Sequence, residues 1–324
     1  MKKIIIILGE PNSISSEIFL KSLNYIKKTK LNYIVIGNYS LLKRQAKYLN
    51  IKINLNFSFF KINNIKHIKY KKINFIDIQY NQRIAFDLNS NKSSSFIKEC
   101  FECAFTILKN KLAFGLINLP INKSKFTKNK YNGITEYIAD KTNNKNNQNM
   151  LLFNEKFSVL PLTTHIPLKE VYKKISYAEI EKACRNIDNF YSKTLKRKKF
   201  KIGILGLNPH NGENGYIGSE ETKIIIPAIK KLKNKYRIIG PLSPDTSFLQ
   251  RAKLKIDVLI GHYHDQILTT FKTEFDLNAI NITIGLPFIR ISPDHGVGSG
   301  IIGKGIADPK SFKLAINFFS KYNV

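Results

Sequence analysis

Short apolar runs rich in β-branched residues alternate with amphipathic stretches along the whole of this 324-residue chain. The apolar runs predict strands at residues 3–8, 33–36, 112–117, 150–153, 157–162, 201–205, 257–260 and 281–284. The stretches between them have helical periodicity and predict helices at 15–27, 40–49, 94–109, 168–175, 177–195, 220–235, 246–252 and 309–319. Such alternation is typical of an α/β protein with a largely parallel sheet, and the length predicts one large or two medium domains.

The formal net charge of +30 would ordinarily indicate a polyanionic partner such as nucleic acid. The lysines, however, are spread over the whole chain together with abundant isoleucine and asparagine, which is typical of a genome biased towards A and T codons. The densest basic run, 193–201, lacks the interleaved aromatic residues that stack bases. We therefore expect no nucleic-acid partner, although the positive field would favour a small phosphorylated substrate.

Cysteine usage and the N-terminus predict a cytoplasmic protein. The chain has three cysteines, which give no disulfide framework, and Cys100 and Cys103 lie on a predicted helix where they fit core packing. The apolar stretch at 4–8 is too short for a signal peptide and is interpreted as the first buried strand. No apolar run approaches the length needed to cross a bilayer, so we expect no membrane partner.

Three histidines, His165, His210 and His264, lie in short turn-like segments of the second half of the chain. Neutral imidazole is the commonest protein ligand of divalent metals, and three imidazoles leave coordination positions open for a substrate oxygen. The segments lie far apart in sequence, so spacing alone does not prove a shared site. Each histidine could instead be a hydrogen-bonded loop or core residue.

Other patterns have ordinary structural explanations. The segment 298–303 matches the dinucleotide fingerprint G-x-G-x-x-G, but too few residues follow it for the βαβ unit that the fingerprint requires. Glu220 and Glu221 are predicted to complement the dipole of the helix that follows Ser219. Asp308, before Pro309, is predicted to be the N-cap of the last helix.

Several segments, in order, closely resemble the motifs of the 4-hydroxythreonine-4-phosphate dehydrogenase family of pyridoxal phosphate biosynthesis. The resemblance extends from about Ile4 to Asp308, essentially the whole chain. The segments that carry it are Gly9–Pro11, Pro120–Lys123, Thr135–Glu136, Thr163–Leu168, Gly206–Glu213, Gly240–Leu242 with Asp245–Thr246, Tyr263–Gln266 and Asn281–Arg290.

The resemblance implies a two-domain, isopropylmalate-dehydrogenase-like α/β/α fold with an active-site cleft between the domains. The first domain would comprise residues 1–122 plus 262–324 and carry the cofactor loop. The second, residues 123–261, would carry the metal-ligand loops and the dimer interface. The family also implies a homodimer whose active site is shared between subunits.

The same resemblance implies roles for individual residues. His165, His210 and His264 would bind a divalent metal, namely zinc, magnesium, cobalt or manganese. Thr135, Lys272, Asn281 and Arg290 would contact the phosphorylated substrate, and Asp245, Asp265 and Lys272 are the candidates for catalytic side chains. NAD, or NADP, would bind through a C-terminal loop that contains His295, Gly296, Gly303, Gly305 and Asp308.

The implied reaction is the NAD- and metal-dependent oxidation of 4-phosphohydroxy-L-threonine. The product, a 3-keto acid, would lose carbon dioxide to give 3-amino-2-oxopropyl phosphate on the route to pyridoxal 5'-phosphate. One alternative keeps this chemistry on another phosphorylated hydroxy acid, threonate or erythronate 4-phosphate. A distant alternative is a non-catalytic basic RNA-binding protein.

Three places depart from the family pattern. Ile134 stands where the family has a histidine that would contact substrate, so a different substrate preference becomes an alternative. Ser13 and Ser15 replace two glycines of the first motif, which predicts a different conformation for the loop at 12–16. Gly300 stands where the cofactor loop of the family usually has an acidic residue. Glycine has no side chain, so the contacts between this loop and the adenosine part of the cofactor are expected to differ from those of the family.

Overall fold

The computed structural model describes residues 3–53, 57–60, 73–88, 92–127 and 130–322. The chain divides into two compact units, Met1–Asn143 with Pro287–Val324, and Asn144–Leu286. Each unit is an α/β structure built on its own set of neighbouring strands.

The described residues form strands that are mostly four to six residues long. They are β1 (Lys3–Ile7), β2 (Asn32–Gly37), β3 (Phe57–Phe59), β4 (Ile73–Asp77), β5 (Gly115–Asn118), β6 (Asn149–Phe153), β7 (Ser158–Pro161), β8 (Ile202–Leu205), β9 (Ile238–Leu242), β10 (Val258–Gly261), β11 (Ile280–Ile284) and β12 (Ile289–Pro293).

Helices connect most of these strands. They are α1 (Ser15–Lys21), α2 (Leu23–Lys28), α3 (Tyr39–Tyr48), α4 (Ser93–Lys109), α5 (Lys123–Thr127), α6 (Ile134–Lys141), α7 (Val171–Lys174), α8 (Tyr177–Asn189), α9 (Ile226–Leu232), α10 (Pro244–Leu254), α11 (His264–Phe275) and α12 (Lys310–Tyr322). Single turns of 3₁₀ or π type lie at Leu168–Glu170, Phe190–Thr194, Glu221–Ile225 and Ser299–Ile301.

In the first unit, the strand order is β3-β4-β2-β1-β5-β12, and every neighbouring pair is parallel. A parallel sheet that is covered on both faces buries consecutive side chains, which explains the unbroken isoleucine run of β1. All four of these isoleucines are at most 1% exposed. The carboxyl end of β1 leads into the loop at 8–14, where several polar side chains are buried.

In the second unit, the strand order is β11-β6-β7-β10-β8-β9. The pairs β11–β6 and β6–β7 are antiparallel, whereas β7, β10, β8 and β9 run parallel. The carboxyl ends of β7, β10 and β8 therefore meet at one edge, and these are the strands that lead to His165, His264 and His210 respectively. The largely parallel sheet that the sequence predicts is confirmed.

The boundaries between the units lie later in the chain than the predicted ones at 122 and 262. Helices α5 and α6 belong to the first unit because their aromatic rings pack on α4, with Phe126 5.8 Å from Phe101 and Tyr137 5.5 Å from Phe101 between ring centroids. Helix α11 belongs to the second unit because Phe271 packs into the same core as Phe157, at 6.3 Å.

All eight predicted strands are present within a few residues of their expected bounds. The predicted helix at 15–27 is instead two helices, because α1 ends at Lys21. Ser22 separates it from α2, and the Ser22 hydroxyl donates to Ile18 O at 2.7 Å. Cys100 and Cys103 lie on α4 as expected, and burial raises the pKa of Cys103 to about 11. Among the described residues, no helix is long and apolar enough to cross a membrane.

Several helix ends have a left-handed residue that is not glycine. Helix α10 is followed by Lys255, with φ of 54° and ψ of 49°. Asn50, Lys111 and Asn143 have positive φ just beyond α3, α4 and α6, and Lys196 does so beyond the π turn at Phe190–Thr194. These residues occupy the position where glycine usually ends a helix.

Candidate active site

Backbone hydrogen bonds join the loops that follow β7 and β10. Thr163 N and Thr163 Oγ1 both donate to His262 O, at 3.1 and 2.7 Å. Leu162 N donates to Gly261 O at 2.8 Å. The segments that carry His165 and His264 are therefore held against each other immediately before the two histidines.

A second connection joins the loop after β10 to the end of β8. His262 is fully buried, and its Nε2 lies 2.7 Å from Leu205 O. Gln266 accepts a hydrogen bond from His262 N at 2.7 Å and donates one to Gly206 O at 2.8 Å. Burial lowers the pKa of His262 and so favours the neutral imidazole, as expected for a histidine that fixes a core contact.

His165 and His264 lie close together, with 6.0 Å between their ring centroids. His264 is the first residue of α11, and its Nδ1 lies 2.6 Å from Asp265 Oδ1. A carboxylate on Nδ1 fixes the tautomer and leaves Nε2 as the ligand atom, which is the usual arrangement around a metal-binding histidine. The two imidazoles therefore fit a shared divalent ion.

His210 begins a run of left-handed backbone. The φ angles of His210, Asn211, Gly212, Glu213 and Asn214 lie between 42° and 77°. This conformation costs roughly 1–2 kcal/mol for an ordinary L-residue, and less for asparagine, so tertiary contacts must hold the loop. The run contains Asn and Gly, which tolerate positive φ, but nothing else in the sequence predicts five consecutive left-handed residues.

Asp245 is exposed in the first turn of α10, which begins at Pro244 after Ser243. The N-cap of this helix is Ser243. A hydrogen bond from Ser243 is the main cause that lowers the pKa of Asp245, and the charge of His210 contributes less.

The single chain does not gather all three expected metal ligands. Across the described ranges, no group of three or more His, Cys, Asp or Glu side chains lies close enough to hold an ion. His165 and His264 form a pair, while His210 lies in the separate loop that follows β8.

Arg290 and Thr135 meet in the first unit. Arg290 is buried on β12, where its Nε donates to Asn118 Oδ1 at 2.7 Å and its Nη1 to Thr135 Oγ1 at 3.4 Å. Burial lowers the pKa of Arg290 to about 10, while the charge of Glu136 acts in the opposite direction. The guanidinium is therefore still protonated at neutral pH. Asn118 was not recognised from sequence.

Lys272 and Asn281 lie in the second unit. Lys272 is exposed on α11, seven residues after Asp265, so the two side chains share a helix face about 10 Å apart along the axis. Asn281 is half-buried on β11, and its buried Oδ1 accepts no hydrogen bond from the described residues. An orphan acceptor of this kind fits a ligand that donates to it.

The residues of the expected cofactor loop follow β12 in the first unit. His295 is half-buried with Nδ1 3.2 Å from Gly296 O, and a Cβ on Gly296 or Gly305 would meet no atom within 4 Å. Gly303 has φ of 73° and lies against Tyr48 and Phe86. Asp308 Oδ1 accepts from Lys310 N at 2.8 Å, so its side chain pairs the first N–H of α12, which begins two residues later.

Two residues of α1 anchor this loop. The buried Glu17 carboxylate accepts from Ala307 N at 2.7 Å and from Lys21 Nζ at 2.8 Å. Lys21 Nζ also donates to Gly305 O and Ala307 O, both at 2.8 Å, so the three acceptors use all three of its protons. Sequence patterns do not reveal this contact, since α1 and the loop lie nearly 300 residues apart.

The structure explains the serines at 13 and 15 and shows where Ile134 and Gly300 lie. Ser13 Oγ donates to Glu10 O at 2.7 Å, and Ser15 Oγ donates to Pro120 O at 3.1 Å, so both hydroxyls stabilise the loop without positive φ. Ile134 is the first residue of α6 and its side chain is buried beside Thr135. Gly300 is exposed, with no atom within 4 Å of a built Cβ.

Comparisons with known proteins identify the family of the chain. A family model described as pyridoxal phosphate biosynthetic protein PdxA matches residues 29–319. The 4-hydroxythreonine-4-phosphate dehydrogenase of Sulfurihydrogenibium sp. (strain YO3AOP1) is 39% identical over 314 residues, which are 96% of this chain and 95% of that protein. A protein of Oceanobacillus iheyensis named "Putative D-threonate 4-phosphate dehydrogenase" is 32% identical, over 96% of this chain and 95% of its own length.

Solved structures give the same result. The 4-hydroxythreonine-4-phosphate dehydrogenase of Klebsiella pneumoniae superposes with a TM-score of 0.84 at 29% identity and covers 100% of both chains. Isocitrate dehydrogenase of Methylococcus capsulatus, at 12% identity, covers 99% of this chain and 86% of its own with a TM-score of 0.50, which concerns the fold alone. The predicted fold class is therefore confirmed, and the chain belongs to the PdxA family of pyridoxal phosphate biosynthetic proteins.

Proposed function

We propose that the protein is an NAD- and divalent-metal-dependent dehydrogenase of 4-phosphohydroxy-L-threonine. The paired imidazoles of His165 and His264, with Asp265 on the outer nitrogen of His264, are the observation that carries this proposal. Family membership and relatives named for this activity support it. The product would be a 3-keto acid, which loses carbon dioxide readily because the new carbonyl lies β to the carboxylate.

The proposed ligands of the metal are His165, His210 and His264, three neutral nitrogen donors suited to zinc, cobalt or manganese, with magnesium as a further candidate. Asp265 would orient His264, and Asp245 would orient a metal-bound histidine or water or relay a proton. A site shared between two subunits would explain why one chain joins only two of these histidines.

When bound, the metal would stabilise the negative charge that develops on the substrate oxygen as its proton leaves, and NAD would accept the hydride. Arg290 and Lys272 would bind the phosphate and carboxylate groups of the substrate, with Arg290 presenting a planar pair of donors. Thr135 and the orphan oxygen of Asn281 would complete substrate binding.

The test is a comparison of substrates and metals. Purified protein is assayed for NADH formation from 4-phosphohydroxy-L-threonine with added Zn²⁺, Mg²⁺, Co²⁺ or Mn²⁺, and again with NADP in place of NAD. We expect NADH formation, and we expect a metal chelator to abolish it. The absence of turnover with every metal would overturn the proposed substrate.

A second candidate substrate is threonate or erythronate 4-phosphate, which has a hydroxyl where 4-phosphohydroxy-L-threonine has its amino group. The buried Ile134 favours it, because an apolar side chain offers no hydrogen bond where the family pattern has histidine. The same assay with both substrate classes distinguishes the candidates. A higher kcat/KM for 4-phosphohydroxy-L-threonine would eliminate this alternative.

We propose a homodimer formed through the second unit, because large apolar side chains are exposed near the expected metal residues. Tyr216 is 90% exposed shortly after His210, and Leu249 is 83% exposed one helical turn after Asp245. Isolated exposed apolar residues are common, but these lie beside polar residues with proposed roles. A second copy of the chain is the partner that would cover them.

Leu249→Glu is therefore expected to convert the dimer to a monomer and to remove most of the activity, because a charge at a buried interface is costly. Light scattering coupled to gel filtration measures the mass, and NADH formation measures the activity. Leu88→Glu, at an exposed leucine of the first unit, is the matched control. A Leu249→Glu protein that remains dimeric and active would contradict this interface.

We also propose that the loop at 303–309 binds NAD and that Lys21 holds it in shape. Lys21→Met is expected to raise the KM for NAD roughly tenfold with a smaller effect on kcat, because two carbonyl oxygens of the loop lose a charged donor. Lys27→Met, at an exposed lysine of α2, is the matched control. Equal NAD saturation curves for the two variants would exclude this role.

A further inference from the structure

We infer that Glu221 is a positioning residue that sets the conformation of the loop of His210. The inference rests on the proposed function, in which His210 binds the metal, and it assigns a role to a carboxylate that lies outside the expected site. Glu221 begins the π turn after Ser219, and it is 0% exposed although it is charged.

One oxygen of Glu221 is directed at the backbone just before the loop. Oε1 accepts from Leu207 N and from Asn208 N, both at 2.7 Å. Two consecutive N–H groups on one carboxylate oxygen fix the direction in which the chain leaves β8. Because His210 follows two residues later, this direction determines where its imidazole can reach.

The other oxygen of Glu221 holds the side chain of Asn208. Oε2 accepts from Asn208 Nδ2 at 2.9 Å, and Glu220 Oε2 accepts from the same nitrogen at 2.7 Å. The two protons of one carboxamide are thus shared between adjacent glutamates. Asn208 is consequently fixed through both its backbone and its side chain.

The loop closes tightly over the carboxylate. A Cβ on Gly212 would lie 2.7 Å from Glu221 Oε2, and a Cβ on Gly206 would lie 3.2 Å from Oε1. Gly212 is also the centre of the left-handed run that begins at His210. The glycines on both sides of the metal-binding segment therefore leave room for the Glu221 carboxylate.

A simpler explanation is that Glu221 only complements the dipole of the helix that follows it. That role needs a carboxylate near the N-terminus of its own helix and is compatible with exposure to solvent. Glu221 instead is fully buried and accepts its hydrogen bonds from residues 207 and 208. The left-handed run needs tertiary contacts, and these are contacts of the required kind.

The decisive variant is Glu221→Gln, which keeps the size of the side chain but replaces one acceptor with a donor facing Asn208 Nδ2. Cobalt(II) alone is the probe, and its affinity and visible absorption are measured by titration. We expect the Kd to rise roughly ten- to a hundredfold, with a change in the absorption that reports coordination. Glu220→Gln keeps the contact between Asn208 and Glu221, so we expect it to change the Kd for Co²⁺ much less.

Hydrogen exchange of the peptide at 205–218 provides a second readout, independent of metal. We expect this peptide to exchange faster in metal-free Glu221→Gln than in the metal-free wild-type protein. The control variant is Glu99→Gln, at an exposed glutamate of α4, and Glu221→Gln is expected to exchange faster than this control as well. Asn208→Ala gives a second test if Glu221→Gln folds poorly, because it removes only the side-chain contacts.

The possible outcomes separate the two proposals. In the first outcome, the wild-type protein binds Co²⁺, and Glu221→Gln has the same affinity and the same hydrogen exchange. This result would overturn the role of Glu221 and leave the proposed function intact. Wild-type protein that binds no metal overturns the proposed metal site. In that case the exchange measurement alone decides whether Glu221 orders the loop.

Discussion

Replacing His264 with alanine is expected to abolish metal binding and to lower kcat/KM by at least about a thousandfold. His264 lies 6.0 Å from His165 between ring centroids, and Asp265 fixes its outer nitrogen, so no neighbouring side chain of α11 replaces it. A metal that stabilises developing charge contributes several kcal/mol to the transition state, and each 1.36 kcal/mol is worth a factor of ten. Metal content by atomic emission and NADH formation are measured on the same preparation.

Two further variants make this test specific. Asp265→Asn keeps His264 but weakens the hydrogen bond that orients it, and we expect a ten- to a hundredfold loss of metal affinity. Thr273→Ala, on the exposed part of α11, is the control for the helix itself. Full metal content in His264→Ala would exclude His264 as a ligand and remove the main support for the proposed function.

The second large effect is expected for Arg290→Lys. Lysine keeps the positive charge but has neither the planar pair of donors nor the Nε that contacts Asn118 at 2.7 Å. We expect kcat/KM to fall about a hundredfold, mainly through a higher KM, because a lost charge-assisted hydrogen bond costs about 1.5–3 kcal/mol. Steady-state kinetics with the phosphorylated substrate gives both constants.

Arg185→Lys is the matched control, at an arginine of α8 that makes an exposed ion pair with Glu181. Because Arg290 is buried, its variant is also expected to unfold at a lower temperature, and the melting temperature is measured beside the kinetics. A lower melting temperature with an unchanged KM would show that Arg290 is structural and does not bind substrate.

The sequence predicted the fold well where strands are continuous apolar runs. β1 and β10 are examples, since every residue from Ile4 to Ile7 and from Val258 to Gly261 is buried. β9 and β12 were missed because glycine, proline and arginine interrupt their apolar pattern. The whole of α11 was missed, because the local sequence from His262 to Gln266, where the helix begins, resembles a turn.

The candidate site was predictable only in part. Parallel strands end at a common edge, so the proximity of the loops that carry His165 and His264 follows from the topology. The dipole role predicted for Glu221 was incomplete, because its hydrogen bonds cross to the end of a different strand. The contact between Lys21 and the loop at 303–309 likewise depends on packing between distant segments, which no local pattern encodes.

The left-handed residues at helix ends show how the base composition of a gene can affect the stability of its product. Lys111, Lys196 and Lys255 adopt positive φ where glycine costs least, in a chain with 17 glycines and 53 lysines and arginines. Lysine codons contain mostly A, whereas every glycine codon begins with two G. Each of these lysines stores roughly 1 kcal/mol of backbone strain. A codon bias of the kind that this composition indicates would thus lower the free energy of unfolding of the protein.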